Sequence, residues 1–501
     1  MNRAFLLMLA ACGPAIPDTD PGGKPDPDRP GTDTSDTGDT GELPPECDAL
    51  TPLPLDRPQT LGVFTNAEDF SFNAEGQHVS VDPQGNLVGI TVDGVKSVLY
   101  PGLGATAGVH HLADGSFVYA DVSNNAVVNL DYRTGDFRVI ASGLSYPNGL
   151  DVGRDGFVYV AETARGGVRR IDPVTGESTV IALGLHAPNG VSFGPSWDDL
   201  YVGSFGGGVV YHLRREADDT WSRPVPFALA PGAEYTEDPC ASGGEGATCA
   251  TSYYGFAGEC VPSDLGYNIC EIAYDTSACV GLALSDACTT VHGGVELRSV
   301  CVETAGVDGL FCASAPDTLL AACEGKATGE FCFDGAGGQG SCQTSFEGQS
   351  ICYTPAEGYE SYTAPCEGQE LGAECMFADW LYPMQGNCQD GTAYGIVANI
   401  CLPDQGSGGQ YGMLDGLNVD VCGNVYATAY VAGHVYRWTG PEAEPELVVD
   451  VRSQWIPNFH WGNGVGGWEK DVLYMADRER GNVFPLAIGV EGHGEAYEVA
   501  P

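Results

Sequence analysis

Positive charge is what this 501-residue sequence has least of: 21 Lys and Arg stand against 68 Asp and Glu, a formal net charge of −47. A field of that sign repels nucleic-acid phosphates and anionic lipid surfaces, which excludes nucleic acid as a partner and leaves cations as the natural small ligands. Long apolar runs are missing too. Beyond the first dozen residues nothing approaches the ~20 consecutive apolar residues that a membrane-spanning helix needs. No two of the 19 cysteines lie as close as the two to four positions typical of zinc ligands, so a structural zinc site is not expected.

Glycine, by contrast, is abundant. The 71 glycines and 32 prolines demand many turns and leave little room for long helices, so an all-β chain is predicted. At this length the chain has ample residues for a large core and for more than one folded unit.

The N-terminus carries one basic residue, Arg3, then the apolar run 4–11 and the tetrad Leu9-Ala10-Ala11-Cys12. This resembles a bacterial lipobox, which implies cleavage before Cys12 and lipidation of its thiol, with residues 1–12 as a lipoprotein signal. Residues 13–46 are almost wholly Asp, Thr, Pro, Gly and Ser, a composition that cannot bury enough apolar surface to order itself. They read as an acidic tether reaching roughly 30–35 Å. The expected location is the cell envelope, with membrane contact only through the lipid.

Setting Cys12 aside leaves an even number of cysteines, suited to complete pairing in an oxidising compartment. Sixteen of them lie between Cys240 and Cys401 as four groups of four with a period of about forty residues. Each group opens with the same gap: Cys240/Cys249, Cys279/Cys288, Cys323/Cys332 and Cys366/Cys375. This is a disulfide framework, and each group allows three pairings that spacing does not resolve. Parity leaves Cys47 and Cys422 as a candidate pair.

Outside that insert one pattern recurs: a dipeptide ending in Gly, a short apolar segment, a polar turn, then a strand rich in Val, Tyr and Leu. The dipeptides are Glu75-Gly76, Ala107-Gly108, Asn148-Gly149, Asn189-Gly190, Asp415-Gly416 and Asn463-Gly464. Six copies at near-constant spacing predict six four-stranded blades arranged radially, a six-bladed β-propeller, with residues 60–65 supplying a closing strand. The expected organisation is blades 1–4 in residues 47–234, the cysteine-rich insert in 235–405 and blades 5–6 in 406–501.

In a propeller the innermost strands begin beside a central channel, so equivalent residues converge on one axis. Five of the six positions read here carry a side-chain oxygen. A ring of oxygen donors suits a hard cation, calcium ahead of magnesium or manganese, with zinc as a further alternative. His110 and His111 follow the second position and are candidates for proton transfer.

At these positions the sequence resembles the gluconolactonase, senescence-marker and luciferin-regenerating-enzyme-like propellers, over about residues 60–230 and 406–500. The resemblance implies a divalent metal held by Glu75, Asn189 and Asp415, with Asn148 as an additional polar contact, and the recurring register adds Asn463 as a candidate ligand. It also implies that Asp415 doubles as a catalytic base and that the substrate is a lactone or related ester. Family members often carry a sugar-binding arginine two residues before the third-blade asparagine. Here that position is Tyr146, which makes Tyr146 a candidate substrate contact and argues against strict sugar-lactone specificity. The competing reading is a non-catalytic propeller scaffold whose insert binds a surface glycan or protein. A monomer is expected in either case.

Overall fold

A computed structural model of the chain describes Cys47, residues 50–230 and 414–494 apart from positions 206, 431, 452–454 and 479, and shorter stretches between 231 and 403. Cys12 and the expected signal and tether lie outside the described residues.

Six four-stranded antiparallel sheets form the propeller. Blades 1 to 5 each run in chain order from an innermost strand outward, and these innermost strands are Phe70–Phe72, Val109–His111, Pro147–Val152, Pro188–Phe193 and Leu414–Val419. Blade 6 is composite. Its first three strands, Phe459–Trp461, Val472–Ala476 and Asn482–Ala487, come from the C-terminal end, and Gly62–Val63 pairs as the outermost strand. The ring is thus closed by the beginning and end of the chain, as read from residues 60–65, and closure protects the edges an open sheet would expose. Cys47 and Cys422 form a disulfide across the same seam, joining positions 375 residues apart.

Both faces of each blade are buried against neighbours, which is why strands such as Val158–Glu162 and Val425–Ala429 are buried at every residue. The core is therefore a set of inter-blade wedges. Tyr159 and Val168 pack with Val191 and Leu200 between blades 3 and 4, and Phe70, Phe72, Trp468 and Tyr474 close blade 6 onto blade 1. The hairpin that ends the innermost strand of blade 5 uses an aspartate to cap the turn: Asp420 Oδ1 accepts hydrogen bonds from the amides of Cys422 and Asn424, both at 2.9 Å. Gly423 follows at φ 82°, a conformation that disfavours any residue with a Cβ.

The insert leaves after the outermost strand of blade 4, Val225–Leu229, and returns at Leu414. It builds four three-stranded antiparallel sheets, one for each group of cysteines. In the first and fourth groups the pairing is first to third and second to fourth: Cys240–Cys260 with Cys249–Cys270, and Cys366–Cys388 with Cys375–Cys401. Cys279–Cys301 repeats the first of these. Loops of this size contribute about 3 kcal/mol per bridge, so the modules are stapled rather than core-built.

Candidate metal centre at the channel mouth

Glycine at the start of an innermost strand has a packing cause. A Cβ on Gly149 would stand 2.4 Å from the Asn189 carbonyl oxygen, one on Gly190 2.3 Å from that of Asp415, and one on Gly416 2.4 Å from Asn458 Oδ1. Neighbouring strands abut at the axis, and only glycine fits between them. The residue before each glycine is thereby set at the upper mouth, the end at which the innermost strands begin. Asn148, Asn189 and Asp415 are all buried there, Asp415 to 4 % exposure.

Glu75 and Asn463 do not belong to this ring, and both assignments are corrected. Glu75 is an exposed residue of the turn after the first strand of blade 1, and Gly76 beside it has φ 75°. Asn463 lies past the end of the blade 6 inner strand, where its amide nitrogen donates to the Asn73 carbonyl at 2.9 Å, and Gly464 has φ 77°. These are turn glycines, spelled like the axial ones but required for a different reason. The axial positions of blades 1 and 6 are Glu68 and Asn458.

Neither position is followed by glycine. Blade 1 has Asp69 instead, which fills the axial space as a bridge between three blades: its Oδ2 accepts from the Val109 amide at 2.9 Å and its Oδ1 contacts His460 Nε2 at 3.0 Å. No glycine follows Glu68 or Asn458, so the glycine pattern does not mark Glu68, Asp69 or Asn458. The sequence signal that marks them is the aromatic strand triplets Phe70-Ser71-Phe72 and Phe459-His460-Trp461, which they immediately precede.

The mouth therefore combines two carboxylates, Glu68 and Asp415, with the amides of Asn148, Asn189 and Asn458. Burial pushes the Asp415 carboxyl well above the usual range, and the Glu68 charge raises it further, while Arg478 and a hydrogen bond from Asn189 act in the opposite direction. Burial raises Glu68 as well, with Arg478 opposing. The Glu68 charge that adds to burial in raising Asp415 favours a positive charge between the two carboxylates. All the donors are oxygens, so the set fits a hard divalent cation.

Arg478 stands at this mouth, on the loop after the second strand of blade 6. Its guanidinium pairs with Glu68 and donates to Tyr430 Oη at 3.3 Å. Tyr430 stacks against Trp455 at 6.4 Å and 15°, and Phe205 lies 6.0 Å from it. Tyr146 is half-buried at the same rim with φ 56°, an uncommon conformation for a residue bearing a side chain.

The two candidate histidines separate. His111 Nδ1 bonds Ser71 Oγ at 2.9 Å and its ring packs 5.4 Å from Phe117, a structural position between blades 1 and 2. His110 reaches the channel at its lower end, where it faces His460 at 5.6 Å and lies 3.8 Å from Asp151 Oδ1. There a cavity of about 180 Å³ is lined by His110, Asp151, Ser192, Asn418, His460 and Lys470 among others. His110 is thus at the opposite end of the channel from Asp415.

Residues 63–206 match the family model of the SMP-30/gluconolactonase/LRE-like region. The propeller is a gluconolactonase-like one. None of the curated proteins matches the chain. Among solved structures, a gluconolactonase from Xanthomonas campestris is similar at 22 % identity over 43 % of this chain and 80 % of its own, with a TM-score of 0.30. A calcium-binding protein, regucalcin, from Agrobacterium tumefaciens is similar at 10 % identity over 88 % of this chain and 96 % of its own, with a TM-score of 0.40.

Proposed function

We propose that this gluconolactonase-like propeller is a divalent-metal-dependent hydrolase of lactones or related esters, held at the bacterial cell envelope by a lipid on Cys12. The observation that carries the reading is the half-buried carboxylate of Glu68 and the buried one of Asp415, gathered with Asn148 and Asn189 from separate blades at one mouth. A divalent cation bound there, calcium first among the alternatives, would polarise the ester carbonyl and stabilise the oxyanion. Asn148, Asn189 and Asn458 orient substrate and ligand oxygens, and the Asp415 carboxylate accepts the proton of the attacking water. The aromatic rim of Tyr146, Phe205, Tyr430 and Trp455 covers the less polar part of the substrate.

The test is calorimetric titration of the purified protein with calcium, followed by a lactone and aryl-ester panel. Saturable binding and turnover are expected, with both lost in Glu68→Gln and Asp415→Asn. No turnover in the wild type, or equal turnover in the variants, would sink the enzyme reading. Mass spectrometry of the membrane-extracted protein should show a diacylglyceryl group on Cys12.

One observation favours the second reading, a scaffold whose insert binds a surface glycan or protein. The insert departs and returns on the side of the Asp415 mouth, and its first module docks there, with Tyr267 Oη accepting from the Leu183 amide at 3.0 Å. Glycan or protein capture unaffected by Asp415→Asn, together with absent turnover, would favour it.

A further inference from the structure

The mouth holds a cation of its own. The loop carrying Arg478 is fixed by its backbone: its amide donates to the Trp455 carbonyl at 3.0 Å, and its carbonyl accepts from Asn66 Nδ2 at 2.9 Å. With the Cα held, the side chain has two directions available. Inward it pairs with Glu68, close enough to Asp415 to lower that group's proton affinity. Outward it meets water, since 31 % of the side chain is already exposed, and Tyr430 Oη stands beside the path.

We propose that Arg478 is the resident counter-cation of the Glu68–Asp415 pair, and that a divalent ion and this guanidinium are alternative occupants of the mouth. The inference rests on the metal-dependent reading above. Electrostatics makes the occupants exclusive: a divalent ion bound by both carboxylates leaves no charge for the arginine to balance, and at contact distance it repels the guanidinium. Binding then displaces the Arg478 guanidinium outward to solvent, breaking a partly buried ion pair in the process. Metal affinity is lowered by that cost. Metal-free protein avoids an uncompensated carboxylate pair, and the site fills only where calcium is plentiful. An arginine suits this role because its planar, permanently charged fork can bridge two acceptors and needs no proton change to leave.

The test uses the full-length protein and calcium alone, with calorimetry and thermal unfolding as readouts and no assay of activity. Arg478→Met is expected to tighten calcium binding at least tenfold, to lower Tm in EDTA and to enlarge the rise in Tm on adding calcium. Arg478→Lys keeps the charge and should remain within about threefold of wild type, and it also serves if the methionine variant folds poorly. An Arg478→Met affinity equal to or weaker than wild type overturns the competition while leaving the metal site standing. Likewise, tenfold tightening in Arg478→Lys shows that charge is not the cause. If neither wild type nor Arg478→Met binds calcium, the metal reading and this inference fall together.

Discussion

The two ends of the channel are built from the same six strands and hold opposite chemistry. The upper mouth gathers Glu68 and Asp415 with asparagines, a hard oxygen set whose carboxylates are both raised by burial, Asp415 further by the Glu68 charge. Deeper in the channel acids face imidazoles: Asp69, which also acts on the acids above it, contacts His460 at 3.0 Å, and Asp151 lies 3.8 Å from His110. An acid beside an acid calls for an external or borrowed cation, whereas an acid beside an imidazole has a polar partner within the fold. The strand repeat brings six side chains to each level, and the residue types at that level decide whether the result is a site or a strut.

The sharpest way to break this comparison is to neutralise one acid at each end. Asp415→Asn should weaken calcium binding by a hundredfold or more, while Asp151→Asn should leave it within about threefold; equal losses by calorimetry would mean the ends are not distinct. A large stability effect should separate the two kinds of glycine. Gly190→Ala, with a Cβ 2.3 Å from the Asp415 carbonyl, should cost about 3 kcal/mol in urea unfolding. Gly464→Ala, at φ 77° and near only the flexible Lys470 side chain, should cost about 1 kcal/mol.

A smaller effect concerns pH. Because the folded-state pKa of Asp415 is raised, the native protein binds the proton more tightly than the unfolded chain. Its contribution to stability is complete below the ordinary carboxylate range near pH 4 and is lost as pH rises through the raised value. In EDTA, wild type should therefore lose stability relative to Asp415→Asn with increasing pH, by at most about 1.4 kcal/mol per pH unit for this group. Calcium should flatten or reverse that difference. The smallest effect is expected for Glu75→Gln, which changes an exposed turn residue and should shift neither calcium affinity nor Tm measurably.

How far the site was legible follows from the same glycines. Asn148, Asn189 and Asp415 were found because Gly149, Gly190 and Gly416 are forced by axial crowding and stand next to them. Blade 1 satisfies the same axis with Asp69, and blade 6 with Phe459 after Asn458, so no glycine marks either place. The polar residue-glycine pairs downstream in these blades, Glu75-Gly76 and Asn463-Gly464, are hairpin turns with the same spelling. Arg478 and Tyr430 carry no local signature, since each simply lies four residues past the strand tyrosines Tyr474 and Tyr426.

The sequence by itself determined the propeller, because alternating short strands, capped turns and glycine spacing are local or periodic requirements that each blade states for itself. It also determined four stapled modules, because cysteine count and period are independent of geometry. Tertiary structure alone decided which oxygen of which blade reaches the axis, that Cys47 meets Cys422 across the closing seam, and that an arginine from blade 6 stands over the acids of blades 1 and 5. Those are relations between distant segments, set by ring closure and by how closely neighbouring strands approach, and no local pattern encodes them.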